Sequence, residues 1–203
     1  NVLYGGAAGV TGSGSQFFTQ DSAGVGSYAE RNDSFGSAVT AGDVNNDGFA
    51  DLGVGVPGEA SSLRAVGSVH VLYGSAAKLT GSGSQTFSQN SADVVGTSES
   101  DDSFGFALAA ADFNNDSHAD VAIGVPFESL GSTADAGEVD VLFGTAAGLT
   151  GSGSQSFSQD TAGVGNSAEE FDWFGFALAA AGPDGPTTVP TPAVGSATMR
   201  ELP

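Results

Sequence analysis

Two segments of the chain place side-chain oxygens at positions 1, 3, 5 and 9 of a nine-residue loop. The residues are Asp43, Asn45, Asp47 and Asp51 in the first segment and Asp112, Asn114, Asp116 and Asp120 in the second. Oxygens at every second residue can surround one hard cation, with the backbone carbonyl at position 7 (Phe49 or His118) as a further ligand. The number of oxygen ligands favours Ca²⁺ over Mg²⁺, which needs tight octahedral geometry. The pattern predicts two calcium sites.

These loops differ from an EF-hand at position 12, where Val54 and Ile123 stand in place of the required Glu. The alternative is a turn that binds nothing, because Asn and Asp favour turns in any case. Two copies with Asp at position 9 favour binding over that alternative. Ser117 replaces the glycine of position 6 (Gly48) and should weaken the second loop, since this position requires a positive φ.

The loops belong to a repeated unit of about 70 residues. Residues 2–5, 71–74 and 141–144 match one another, at offsets of 69 and then 70 residues. The Phe-Gly pairs at 35–36, 104–105 and 174–175 follow at similar spacing. A period of this length indicates a propeller or another repeat array. The 203 residues therefore hold just under three repeats.

Within one repeat the pattern predicts four short strands, over residues 34–41, 50–56, 68–73 and 86–89. Four strands per repeat are typical of one propeller blade, so the predicted fold is all-β, with blades of four antiparallel strands. A β-solenoid or a stacked sandwich remains the alternative. Residues 1–182 form the predicted repeat region and 183–203 a proline-rich irregular tail without further strands. Gly182 stands where a third loop would begin, so no third calcium site is predicted.

The formal charge is −20, with only four basic residues. Such a surface repels nucleic acid and anionic lipid, and no apolar run is long enough to insert into a membrane. Cysteine is absent, so neither a disulfide framework nor a zinc-thiolate site is expected. With only two histidines and no nucleophile motif, the sequence favours a binding protein over an enzyme.

The order of these motifs resembles that found in a known family. Phe35-Gly36, the first loop and Gly55-Val56-Pro57 follow one another as in the FG-GAP repeats of integrin α-subunit propellers, and the motif recurs from Phe104 onward. The sequence of residues 74–80 resembles that of the bacterial secreted branch of the family. The resemblance implies a seven-bladed propeller with calcium in hairpin loops on one face and protein-binding loops on the other. It also implies the ten ligand residues named above.

The resemblance further implies an extracellular, secreted or cell-surface protein that binds a protein or cell-surface ligand. Two other functions stay open: the accessory propeller of a larger, phospholipase-like secreted hydrolase, and a carbohydrate-binding propeller. Fewer than three blades cannot close a ring of seven, so further blades or other copies of the chain are expected as partners.

Overall fold

Short antiparallel strands are the regular elements of the described chain. The computed structural model describes residues 1–181 and the backbone of one further strand, Ala193–Ala197. The strands are β1 (Val2–Gly6), β2 (Gly9–Gln16), β3 (Val39–Gly42), β4 (Asp51–Val56), β5 (Ser68–Tyr73), β6 (Thr80–Phe87), β7 (Ala107–Ala111), β8 (Asp120–Val125), β9 (Glu138–Thr145), β10 (Gly148–Phe157), β11 (Ala177–Ala181) and β12 (Ala193–Ala197). Among these residues no helix occurs, and so none with the length and hydrophobicity that crossing a membrane requires.

The strands form two complete four-stranded sheets, each with its strands in sequence order. Blade A has the order β3-β4-β5-β6, and blade B has the order β7-β8-β9-β10. All pairings within them are antiparallel. Strands β1 and β2 form an N-terminal hairpin, and β11 pairs with β12. The prediction of an all-β fold with four-stranded antiparallel blades is confirmed, and the structure is a partial β-propeller.

The central strands match their predicted ranges, whereas the outer strands do not. Strand β5 covers the predicted residues 68–73, and β4 begins one residue after the predicted start at 50. The first strand begins at Val39 instead of residue 34, because Ser34 and Gly36 have positive φ values and belong to a turn. The fourth strand covers Thr80–Phe87 instead of 86–89, since the Gly/Ser-rich segment pairs with β5 through an irregular register.

The Phe-Gly motif precedes the first strand of each blade and is hydrogen-bonded to the second strand of the same blade. Gly36 has a φ of 86° and its N–H donates to the carbonyl of Gly55 at 3.0 Å. Gly105 repeats the contact with Gly124 in blade B, with a φ of 89° and a distance of 3.2 Å. Both positions have a positive φ, which glycine adopts without strain, and this explains why glycine follows the phenylalanine in both repeats.

The hydrophobic core lies between sheets stacked face to face. One cluster fills the junction of blades A and B and includes Val69, Val71, Phe87, Phe104, Val121, Ile123 and Leu142. A second cluster, with Leu72, joins the N-terminal hairpin to blade A, and a third covers the opposite face of blade B. Residues on either side of each strand therefore pack against different neighbours, as alternation in a strand requires. Strands β3, β7 and β11 lie side by side and form the inner edge of the stack.

The expectation of an irregular tail is wrong for residues 193–197. This segment forms β12, which pairs antiparallel with the whole of β11. The physical reason is that β11 would otherwise present unpaired N–H and C=O groups at a sheet edge. The remainder of the predicted tail, 183–192 and 198–203, lies outside the described residues, as does Gly182.

His70 is a fully buried histidine in the middle of β5. Its Nδ1 lies 3.0 Å from the hydroxyl of Thr86 on the neighbouring strand, and its ring meets Phe35 edge to face. Burial lowers the pKa of His70 to about 4, so the ring is neutral in the folded chain at neutral pH. This contact set supports a packing role for the side chain and places no reacting group beside it.

The lowered pKa of His70 predicts acid destabilisation. Its contribution to stability is complete above the ordinary pKa of 6.5 and is lost as the pH falls toward 4, because the unfolded chain takes up the proton first. We expect the loss to reach about 3 kcal/mol. Urea denaturation of wild type and His70→Gln at pH 7 and pH 4 measures it, with His118→Gln as the control. An equal response of wild type and His70→Gln would contradict the assignment.

Candidate metal-binding loops

The two aspartate loops are equivalent hairpin connections in neighbouring blades. Residues 43–50 connect β3 to β4, and residues 112–119 connect β7 to β8. A backbone hydrogen bond joins them, because the N–H of Ala119 donates to the carbonyl of Asp43 at 2.9 Å. The loops therefore lie next to each other at one end of the stacked sheets, as expected for corresponding hairpins of adjacent blades.

In the first loop the side chains of positions 1, 3 and 5 accept hydrogen bonds from the loop's own backbone. Asp43 accepts from the N–H groups of Asp47 (3.0 Å) and Gly48 (2.8 Å). Asn45 accepts from Asp47 at 3.1 Å, and Asp47 accepts from Phe49 at 2.9 Å. Successive turns of this kind bring the oxygen-bearing side chains of alternate residues to the same side of a tight loop.

The second loop repeats these contacts residue for residue. Asp112 accepts from the N–H groups of Asp116 (3.1 Å) and Ser117 (2.9 Å), and Asn114 accepts from Asp116 at 2.9 Å. Asp116 accepts from the backbone of His118 at 2.9 Å, and its Oδ1 also lies 3.1 Å from the imidazole Nδ1. Equal spacing in the sequence has therefore produced equal geometry in both blades.

Position 6 of the loop adopts a positive φ in both copies. The value is 90° at Gly48 and 74° at Ser117. The expectation that Ser117 must adopt a left-handed conformation is confirmed, and a non-glycine residue pays about 1–2 kcal/mol for it. The second loop is therefore the more strained of the two.

The aspartates of position 9 are buried, unlike those earlier in the loops. Asp51 accepts from the N–H groups of Val44 (3.0 Å) and Gly74 (2.8 Å), one at each carboxylate oxygen. Asp120 accepts in the same way from Phe113 (2.7 Å) and Gly144 (2.9 Å). These carboxylates link each loop to the end of the third strand of its own blade. Sequence reasoning did not foresee this role.

The electrostatics of the loops favour a positive ligand. Burial raises the pKa of Asp51, and the charges of Asp47 and Asp43 raise it further, against the N–H groups that stabilise the anion. Burial raises the pKa of Asp120 too, with the same contribution from Asp116 and Asp112. Each loop therefore concentrates negative charge that repels itself, which a bound cation would relieve.

Across residues 1–181 no group of three or more His, Cys, Asp or Glu side chains lies close enough together to hold a metal ion. The donor chemistry of each loop nevertheless fits a hard cation, since carboxylate, amide and carbonyl oxygens supply all five predicted ligands. Each carboxylate oxygen of Asp51 and Asp120 keeps a lone pair beside its N–H bond. Ligation by the complete set therefore requires the position 9 carboxylate to accept the ion and the N–H groups together.

Four-stranded antiparallel sheets, stacked with a Phe-Gly contact and an aspartate loop in each, define a repeat β-propeller. Comparison with known proteins agrees. The FG-GAP repeat model matches residues 35–72 and 104–142, which cover both loops. The chain therefore carries two FG-GAP repeats, which confirms the resemblance deduced from its motifs.

Curated relatives share the repeat region. Phosphatidylinositol-glycan-specific phospholipase D of Mus musculus is 33% identical over 114 residues, 56% of this chain and 13% of the relative. Integrin alpha-3 of Cricetulus griseus is 37% identical over 98 residues, 48% of the chain and 9% of the relative. The phospholipase of Dictyostelium discoideum is 28% identical over 149 residues, 73% of the chain and 15% of the relative. The matched part thus spans only a small share of each relative.

Proposed function

We propose that this chain is a calcium-binding propeller module of an extracellular protein and that it mediates protein or cell-surface binding. The observation that carries the proposal is the matching hydrogen-bond pattern of the two aspartate loops. Positions 1, 3, 5, 7 and 9 of each loop carry an oxygen that could bind a cation. Similarity to integrin alpha-3 and to the phospholipases supports the extracellular location. The residues of the module act in binding and carry no catalytic step.

Calcium would serve as a structural ion in this module. Its ligands would be the side chains of positions 1, 3, 5 and 9 and the carbonyl of position 7, namely Asp43, Asn45, Asp47, Phe49 and Asp51 in one loop and Asp112, Asn114, Asp116, His118 and Asp120 in the other. The ion supplies two positive charges that offset the repulsion among three carboxylates. Because Ala119 donates to Asp43, order in one loop supports order in the next.

Calorimetric titration of the chelator-treated chain with Ca²⁺ tests the proposal. We expect two sites with dissociation constants of about 10⁻⁴–10⁻³ M, the range of extracellular calcium modules. At 100 times the dissociation constant, each site should add about 2.7 kcal/mol to the free energy of unfolding. Asp43→Asn and Asp112→Asn should each remove one site, whereas Glu170→Gln, an exposed acid outside the loops, should leave both. A wild-type chain that is folded by circular dichroism and takes up no Ca²⁺ would contradict calcium binding.

The phospholipase relatives favour a second candidate function, that of an accessory propeller in a larger secreted hydrolase. The two candidates differ in what adjoins the repeats in the full-length protein. Release of a glycosylphosphatidylinositol-anchored reporter by that protein, lost when the adjoining domain is deleted, would support the hydrolase. Binding to cells without hydrolysis would support adhesion, and hits confined to a glycan array would support carbohydrate binding.

Further blades, or other copies of the chain, would complete the propeller. Leu3 and Val10 of the N-terminal hairpin are largely exposed, although such side chains usually pack against a neighbouring sheet. The third cluster likewise leaves Phe143 and Phe157 only partly buried on the outer face of blade B. These apolar faces are the surfaces at which we expect the ring to continue.

A further inference from the structure

Several buried carboxyl groups lie at the junction of blades A and B, away from the two aspartate loops. Its centre is Asp140 in β9, whose side chain is 0% exposed. Asp140 is paired across the sheet with Ile123, and Leu142 lies two residues away on the same face of β9. Both neighbours belong to the hydrophobic cluster between the blades, so the carboxyl group faces that cluster.

The carboxyl group of Asp140 is buried without enough donors to satisfy an ionised carboxylate. Neither carboxylate oxygen of Asp140 has a well-formed hydrogen bond, although the Ser156 hydroxyl lies near enough to stabilise the anion partly. The buried Oε1 of Glu138 is also unpaired. The two side chains lie close enough to hydrogen-bond each other, which two acceptors can do only with a proton between them. An ionised carboxylate without donors at such a buried position is strongly unfavourable.

We propose that Asp140 is held as a neutral acid inside the blade junction, with its proton directed toward Glu138, and that this neutral group keeps blades A and B packed together at neutral pH. The corresponding position in blade A supports this. His70 occupies it, equally buried, beside Thr86 where Asp140 has Ser156. Blade A thus fills the position with a neutral imidazole, and blade B fills it with a neutral acid.

The other charged groups around Asp140 reinforce its protonation. Glu128 follows β8 and binds the side-chain amide of Gln89 at 2.8 Å, and Asp102 and Glu99 precede β7. Arg64 pairs with Asp101 at the exposed rim of the junction. Burial first, and then the charges of Glu138 and Glu128, raise the pKa of Asp140 to about 9; burial likewise raises the pKa of Glu128 to about 7 and of Asp102 to about 6.

The sign of the pH dependence follows from these pKa values. A carboxyl group whose pKa is raised on folding stabilises the chain fully below its unfolded pKa, and this contribution is lost as the pH rises through the folded value. Glu128 and Asp102 lose their contributions by about pH 7, so the range from pH 7 to 9 reports chiefly on Asp140. The contact between blades A and B should therefore weaken in alkaline solution, whether or not calcium is bound.

Urea denaturation of the 203-residue chain between pH 7 and 9, in calcium-free buffer, tests whether Asp140 carries this proton. For wild type the folding equilibrium constant should fall about tenfold per pH unit, and for Asp140→Asn it should stay nearly constant, since an amide needs no proton. Glu170→Gln, an exposed control, should behave as wild type. A persisting slope in Asp140→Asn, or failure of that variant to fold, would overturn the proposal.

A second variant tests whether the proton of Asp140 is directed toward Glu138. Glu138→Gln removes a negative charge and supplies an N–H donor, so Asp140 should ionise at lower pH, which ¹³C NMR of its carboxyl carbon records. An unchanged titration would show that Glu138 is not the partner. Disappearance of the wild-type slope on addition of millimolar Ca²⁺ would show that the pair takes a cation in place of a proton.

Discussion

Substitution of Gly67 by alanine should lower the free energy of unfolding by roughly 3–5 kcal/mol. Gly67 precedes β5 with a φ of 81° and lies against Phe104 of the next repeat, with which it forms a parallel bridge. A Cβ at this position would lie 2.3 Å from both the N and the O of Phe104. Backbone atoms cannot rotate away as a flexible side chain can. The two blades would therefore have to separate locally.

The effect of the Gly67 substitution should extend across the whole blade junction. The N–H of Phe104 donates to Val66 at 3.1 Å, and the same arrangement recurs between Phe174 and Gly137 in the next repeat. Urea denaturation followed by circular dichroism measures the loss. Gly12→Ala is the matched control, because nothing lies within 4 Å of a Cβ there. A Gly67→Ala chain within 1 kcal/mol of wild type would show that the junction yields easily.

Much of the fold could be predicted because each repeat restates the same local signals. The apolar residues of β4 and β5 are buried on both faces, so their ranges were evident from composition alone. The Gly/Ser-rich segment of β6 has no apolar alternation, and only its pairing with Val71 and Tyr73 makes it a strand. Strand β12 depends in the same way on the edge of β11. Pairing between strands is a tertiary property that a local pattern cannot reveal.

The candidate site was predictable to a similar degree. Alternating oxygens at positions 1, 3 and 5 follow directly from the sequence, and the loops fold as that spacing indicates. The second function of Asp51 was not predictable, because its partner Gly74 lies 23 residues away at the end of β5. The acid at Asp140 offered a weak signal, since it occupies a strand position that holds His70 one repeat earlier.

Asp120 both accepts two backbone hydrogen bonds and is a predicted calcium ligand, so its substitution should have the second large effect on stability. Asp120→Ala should lower the free energy of unfolding by about 2–4 kcal/mol, because it leaves the N–H groups of Phe113 and Gly144 without an acceptor in a buried setting. The cost is partly offset, since removing a buried carboxylate also relieves its desolvation and its repulsion with Asp116 and Asp112. Asp116→Ala, at an exposed position of the same loop, should cost less than about 1 kcal/mol in chelator.

Denaturation with and without Ca²⁺ distinguishes the two roles of Asp120. An aspartate that only binds calcium would stabilise the chain only when the ion is present. One that links the loop to the end of β9 stabilises it in chelator as well. We expect Asp120→Ala to be destabilised in both conditions and more so in Ca²⁺, whereas Asp116→Ala should differ from wild type chiefly in Ca²⁺. If Asp120→Ala matched wild type in chelator, its hydrogen bonds to Phe113 and Gly144 would contribute no net stability, and ligation alone would account for the residue.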